Sequence, residues 1–434
     1  MKKVVSLASL LSIALASCLA APIHAVVPLG NPLAAGNEFS LFIAHPVPNP
    51  TIVIPSFAPQ NVVRGMGHSD FGDLGSIPPL NSGSTVPHIV GCRTASPPPP
   101  LGDYPLALVV QVAAGPEHGV ALRSNGDVVT FGRNESGQLG YTSGLDFGCP
   151  TYFSAPVPLN TPGARPAPVW AVAAGNYSTF ALQGTAQGYS LIKAWGSQPL
   201  GTGKPWTNGS YGPECVRNNI YPLGTCLYPV VSVAAGVKHG AAVTTDGKVH
   251  TWGENFAGQL GQPRPVEQPG AVDRNYALVV PGIENVVSVA AADAITLALK
   301  QDGTVWCWGK FHHEQGGIFG DYPSCGATPT QVPNLHNVTS IAAGADHALA
   351  ITIDGRVWAW GYNSGGALGD PNVHFTVDPV LVNVPGFAVA IAAGPSHSLA
   401  RTADGKTWAW GYNYFGQLGD GTYVDRHSPV EVLP

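Results

Sequence analysis

Hydrophobic and polar positions along this chain change period in a fixed order, and the order recurs. A stretch such as Val231-Ser232-Val233-Ala234-Ala235 alternates branched and small residues, the period-two pattern of a strand. After a glycine and a few polar positions comes a second apolar run, for example Leu349-Ala350-Ile351, which ends at an Asp-Gly or Asn-Gly pair. Such pairs are the strongest short hairpin signal, because a tight primed turn needs positive φ. A returning strand carries Val357 and Trp360, and the Trp is expected to fill the wedge between neighbouring sheets. A closing Gly-x-Leu-Gly supplies backbone freedom and one apolar anchor. Each unit therefore predicts a blade of short strands, and few helical periods compete with it.

The clearest copy runs Ala392-Ala393-Gly394, His397, Asp404-Gly405, Trp410-Gly411, Asn413, Gly416-Gln417-Leu418-Gly419. Close copies begin at 113, 234 and 342. Three worn copies begin at 34, 173 and 290, with Phe39, Ser178 and Ile295 where the others have His. The spacing of the seven starts shrinks toward 50 residues by the last copy.

The order Ala-Ala-Gly, His, Asp-Gly, Trp-Gly, Asn, Gly-Gln-Leu-Gly resembles the regulator of chromosome condensation repeat family, from about position 34 to the C-terminus. Seven such repeats imply an all-β fold, a seven-bladed β-propeller forming one domain over 26–434. The tail His427-Ser428-Pro429-Val430-Glu431-Val432 is similar to the strand that precedes each Ala-Ala-Gly. It is expected to add an outer strand to the first blade and so close the ring. The family's eukaryotic namesake is a guanine-nucleotide exchange factor that also binds chromatin. A secreted bacterial β-lactamase inhibitory protein on the same propeller binds its enzyme through loops on one face. The resemblance carries over that mode of binding, not the target.

Composition narrows the partner. Charged residues are 11% of the chain and the net charge is −6, with no Lys/Arg cluster, which argues against nucleic acid. Lys2 and Lys3 precede an apolar stretch at 4–19 and then small residues, the form of a bacterial secretory signal over 1–25. Ile23-His24-Ala25 is one cleavage site. Leu15-Ala16-Ser17-Cys18 is the other, a lipoprotein box that would make Cys18 a lipid anchor. Either way the expected place is the medium, periplasm or cell envelope, and the expected state is a monomer. Six cysteines remain: Cys92, Cys149, Cys215, Cys226, Cys307 and Cys325. Short separations favour Cys215 with Cys226 and Cys307 with Cys325, leaving Cys92 with Cys149, although six cysteines allow about fifteen pairings.

No catalytic constellation is visible, and no cofactor or metal is expected. Repeat histidines His118, His239, His347 and His397 recur one per blade, so they read as structural groups tying down local backbone. His312-His313-Glu314 near Cys325 has no recognised metal spacing and reads as a loop insert. Function is sought in the linkers between one Leu-Gly and the next Ala-Ala. They run 37, 32, 32, 28, 21 and 22 residues, so the first four carry extra chain. In repeat arrays such insertions map to one face. A four-proline run at 97–100 precedes Tyr104; Tyr141, Phe147, Tyr152 and Phe153 follow; then Trp206, Tyr211, Tyr221 and Tyr228; then Tyr276. Aromatic loops are the usual anchors of binding hot spots. The expected function is a non-catalytic scaffold that engages, and could inhibit, a protein partner. The alternative is a carbohydrate- or cell-wall-acting enzyme or lectin with its site at the propeller pore.

Overall fold

The computed structural model describes residues 31–37, 39–44, 62–67, 84–89, 91–92, 104–105, 108–140, 168–185, 188–197, 200–202, 210–218, 225–262, 273–311 and 325–433. The alternating runs form strands, and the strands form seven antiparallel sheets around an axis, the expected β-propeller. In the fourth blade Val230–Ala235 is innermost, followed outward in chain order by His239–Thr244, Val249–Gly253 and Arg274–Val279. Six blades show this four-stranded order. The second shows three strands among the described residues, Val109–Ala114, His118–Arg123 and Val128–Gly132. One short 3-10 turn, Ser364–Gly366, is the only helix among the described residues. Tyr104–Pro105 pairs with Gly91–Cys92 in a two-stranded ladder between the first and second blades.

The innermost strands end in Ala-Ala-Gly because the blades converge there. A Cβ on Gly115 would stand 2.2 Å from the carbonyl oxygen of Gly175 in the next blade. Apolar side chains pack between the blades, in seven buried clusters, one per seam. Val120, Leu122 and Val128 of the second blade meet Val172, Ala181 and Trp195 of the third. Leu349, Ile351 and Val357 of the sixth meet Ile391, Ala400 and Trp410 of the seventh. The repeat Trp thus fills the wedge as expected, with Trp195, Trp252, Trp308, Trp360 and Trp410 all buried.

The tail departs from expectation. Its strand Arg426–Glu431 pairs with Thr407–Gly411 and is the outer strand of the seventh blade, not of the first. The first blade already has an outer strand of its own, Ser84–Ile89. The tail still helps to close the ring, by packing. Val432 is buried in one cluster with Leu33, Phe42 and Met66 of the first blade and Leu418 of the seventh. Polar contacts complete that seam: Asn31 Nδ2 donates to Ile391 O, and Arg401 Nη1 donates to Ile43 O.

Cys215–Cys226 and Cys307–Cys325 are disulfides, as short separation suggested. The Cys92–Cys149 pairing, the signal segment with Cys18, and His312-His313-Glu314 lie outside the residues whose side chains are described.

A candidate binding face and its aromatic patch

Antiparallel order assigns the connections to faces. Connections from first to second strand and from third to fourth leave one end of every blade, here termed the loop face. Hairpins from second to third strand, and crossings to the next blade, lie on the opposite turn face. Of the linker aromatics, Tyr104, Tyr211, Tyr228 and Tyr276 lie in described segments, and they occupy different kinds of position. Tyr228 precedes the inner strand Val230–Ala235 on the turn face, 53% exposed, with its ring 5.7 Å from that of Tyr189 in a hairpin. Tyr104 also sits in a crossing between blades. Tyr211 is within the outer strand Ser210–Cys215, and the half-exposed Tyr276 is within Arg274–Val279. Tyr141, Phe147, Tyr152, Phe153, Trp206 and Tyr221 lie outside the described residues.

The repeat histidines bind across the seams instead of tying down backbone in their own blade. Nε2 of His118, His239, His347 and His397 lies 2.7–3.0 Å from a hydroxyl of the next blade: Thr179, Thr296, Ser398 and Ser40 respectively. Each hydroxyl also donates to a carbonyl of the histidine's own blade, at Gln138, Gln259, Ala367 and Gln417. A carbonyl only accepts, so the hydroxyl proton goes there and Nε2 must carry the proton it donates. Three of those carbonyls take a second bond, from the indole N–H of Trp195, Trp308 or Trp410. Burial pushes the imidazoles down, to about 3 for His118 and His347 and about 4 for His239 and His397. They are neutral ties. Where the histidine position holds Phe39, Ser178 or Ile295, the corresponding position of the next blade is Gly119, Gly240 or Ala348, which bear no hydroxyl.

On the axis a cavity of about 130 Å³ is lined by the Ala-Ala-Gly segments and the residues after them. Asn37, Asn176 and Asp293 bring the larger polar side chains, and Asp293 is the one carboxylate in that described lining. Small-molecule sites usually enclose about 300–1,000 Å³. The described part of this axis is smaller than that. No helix among the described residues is long and apolar enough to cross a membrane.

The loop face carries a patch that the linker count did not reveal. Tyr362 ends the third strand of the sixth blade and Phe375 starts its fourth, with rings 4.6 Å apart. In the seventh blade Tyr412, Tyr414 and Phe415 pack on one another at 5.1–6.4 Å. The two groups adjoin, since a Cβ on Gly365 (φ 59°) would stand 2.8 Å from the Tyr412 backbone. Tyr414 is 67% exposed, and Tyr423 (50%) and Val424 (59%) on the same loop are exposed too. The repeat Asn holds these loops in shape. Asn413 accepts from Leu418 N and donates to Asp420 Oδ1, Thr422 O and Val424 O at 3.0–3.2 Å. Asn363 accepts from Leu368 N and donates to Asp370 O and Val373 O. The residue after that Asn is pushed into solvent: Tyr414 in the seventh blade, Phe256 in the fourth. A position that varies beside a repeated Asn was the available signal in the sequence.

The RCC1-like domain profile matches residues 192–434, and the regulator of chromosome condensation (RCC1) repeat matches 109–138 and 125–182. The chain is 31% identical over 261 residues to protein pim1 of Schizosaccharomyces pombe, covering 56% of this chain and 44% of that one. It is 29% identical over 291 residues to the ultraviolet-B receptor UVR8 of Arabidopsis thaliana, covering 64% and 58%. The matches thus span about half the length of these relatives. Among solved structures it is similar to Prp20p of Saccharomyces cerevisiae, with a TM-score of 0.68, 22% identity and 87% of each chain covered; that structure is described together with the protein's binding properties to Gsp1p and histones. With its profile covering more than half of the sequence and its fold matched around the whole ring, the chain belongs to the RCC1-like family of seven-bladed propellers.

Proposed function

We propose that this protein is a non-catalytic scaffold that binds a protein partner through its loop face. The observation that carries this reading is the patch spanning the sixth and seventh blades, where Tyr414 stands 67% exposed on a base of mutually packed aromatics. A rigid aromatic held on an ordered loop contributes contact area at little entropic cost. The similar yeast structure supports binding as the mode of action, since it is described with its binding to Gsp1p and histones. The place of action is the exported compartment. The signal-like segment at 1–25 and two disulfides support it, because disulfides persist in oxidising surroundings. Whether Cys18 bears a lipid decides between anchored and free forms.

The test uses the full chain as bait on envelope and medium fractions. Tyr414→Ala with Tyr423→Ala is compared with Tyr189→Ala with Tyr228→Ala, which sits on the turn face. Loss of the retained partner with the first pair alone is the expected outcome. Equal retention by both variants would remove the loop-face reading.

A further inference from the structure

The patch also indicates what the partner presents. This rests on the loop-face reading and goes further, to the chemistry of the contact. The amide donors at the patch are consumed inside the loops. Asn413 Nδ2 is shared among Asp420, Thr422 and Val424, and Asn363 Nδ2 between Asp370 and Val373. The loops that bear the aromatic rings also carry carboxylates. Asp425 accepts the backbone N–H of Asn413 at 2.7 Å on one oxygen, between Tyr412 and Tyr414 in sequence. Asp370 accepts Asn372 N and Nδ2 on one oxygen, in the loop between the strands that bear Tyr362 and Phe375. For both, the second oxygen has no partner among the described residues. The cation of this loop, Arg426, is already held by Asp420 at 2.6 Å.

An exposed tyrosine face on loops that carry carboxylates suits a ligand rich in donors and positively charged. A carboxylate bonds a neutral sugar hydroxyl less strongly than a cationic donor, so the charge favours a cation. Guanidinium meets both demands, since its plane stacks on an aromatic face while its edge donates two parallel bonds to a carboxylate. We infer that the rim of the sixth and seventh blades binds an arginine-bearing segment of the partner protein, with Tyr414 stacking on the guanidinium and Asp425 or Asp370 taking its N–H groups.

The experiment measures binding of the full chain to a fluorescein-labelled Gly-Arg-Gly-Arg-Gly peptide, its lysine form and its citrulline form, by anisotropy at low and high salt. Citrulline keeps the shape and hydrogen-bonding plane and removes the charge. Affinity should fall about tenfold from arginine to citrulline, less to lysine, and should weaken with salt. Tyr414→Ala should lose about tenfold, and so should Asp370→Asn with Asp425→Asn, which keeps the acceptors for Asn372 and Asn413. Equal binding of the citrulline peptide would overturn the inference, as would displacement of the arginine peptide by chitohexaose or loss of its site through self-association of the chain. If Tyr414→Ala abolishes partner capture while the peptides bind without regard to charge, the scaffold reading stands and the arginine inference falls. If neither assay depends on Tyr414, both fall.

Discussion

Thr296 shows how much a single side chain carries at a seam. Its hydroxyl joins His239 Nε2 of the preceding blade, at 2.8 Å, to the carbonyl of Gln259, at 2.9 Å. Thr296→Val should strand a buried imidazole N–H and cost about 1–3 kcal/mol in urea unfolding. In a His239→Phe background the same change should cost less, with a coupling on the order of 1–2 kcal/mol; an additive cycle would mean the tie is incidental. At a seam without histidine the sign reverses. Ala348→Ser should destabilise, because the new hydroxyl faces Ile295. Acid should act on the four histidine seams together. Buried imidazoles with pKa values of about 3–4 are neutral when folded and take up protons only when unfolded, below about 6.5. Their contribution is therefore whole above pH 6.5 and is lost as pH falls from there toward 4. At pH 5 the loss amounts to roughly 2 kcal/mol per histidine. Four such losses approach the whole stability of a typical domain, about 5–15 kcal/mol. Urea midpoints measured from pH 7.5 to 4.5 should drop steeply, and a His347→Gln variant should show a shallower slope from a lower start.

At the scale of elements, hairpins and blades were legible because their signals are local. An Asp-Gly pair sets a turn whatever surrounds it, although at Gly247 the glycine alone takes positive φ (75°) and Asp246 does not, so the turn is not of the primed type expected. The tail was misassigned because its sequence says strand and not whose neighbour it is. It lies against Thr407–Gly411, the strand it follows, so the short connection decided the pairing. Its value to closure lies in Val432. Val432→Ala should weaken the seam between first and seventh blades by about 2 kcal/mol, seen as an earlier thermal midpoint. A change confined to blade seven's hydrogen bonding would leave Met66 protected from peroxide, whereas an opened seam would expose it. Cys307–Cys325 ties the third strand of the fifth blade to its fourth across 18 residues. Cys307→Ala with Cys325→Ala should lower stability by roughly 3 kcal/mol, and reduction of the native chain should match it.

For the whole molecule, the repeat order alone determined seven blades, their short strands and the buried Trp and Leu positions, while short separation favoured the two disulfides without fixing them. Those features depend on periodicity, turn chemistry and separation along the chain, all of which can be read from neighbouring residues. Three things waited for the tertiary structure. Length marked the linkers as special, but only the fold shows that the third and fourth pair with each other, through the Thr202–Tyr276 and Asn218–Ala277 bridges. The repeat histidine looked local because its partner hydroxyl lies 51 to 61 residues later, or 357 residues away where the ring closes. The aromatic patch joins Tyr362, Phe375, Tyr412 and Tyr414 from two blades. Sequence determines which side chains each blade offers. Only closing the circle determines which of them stand together, because contacts across a seam depend on how neighbouring sheets pack, and no local pattern records that.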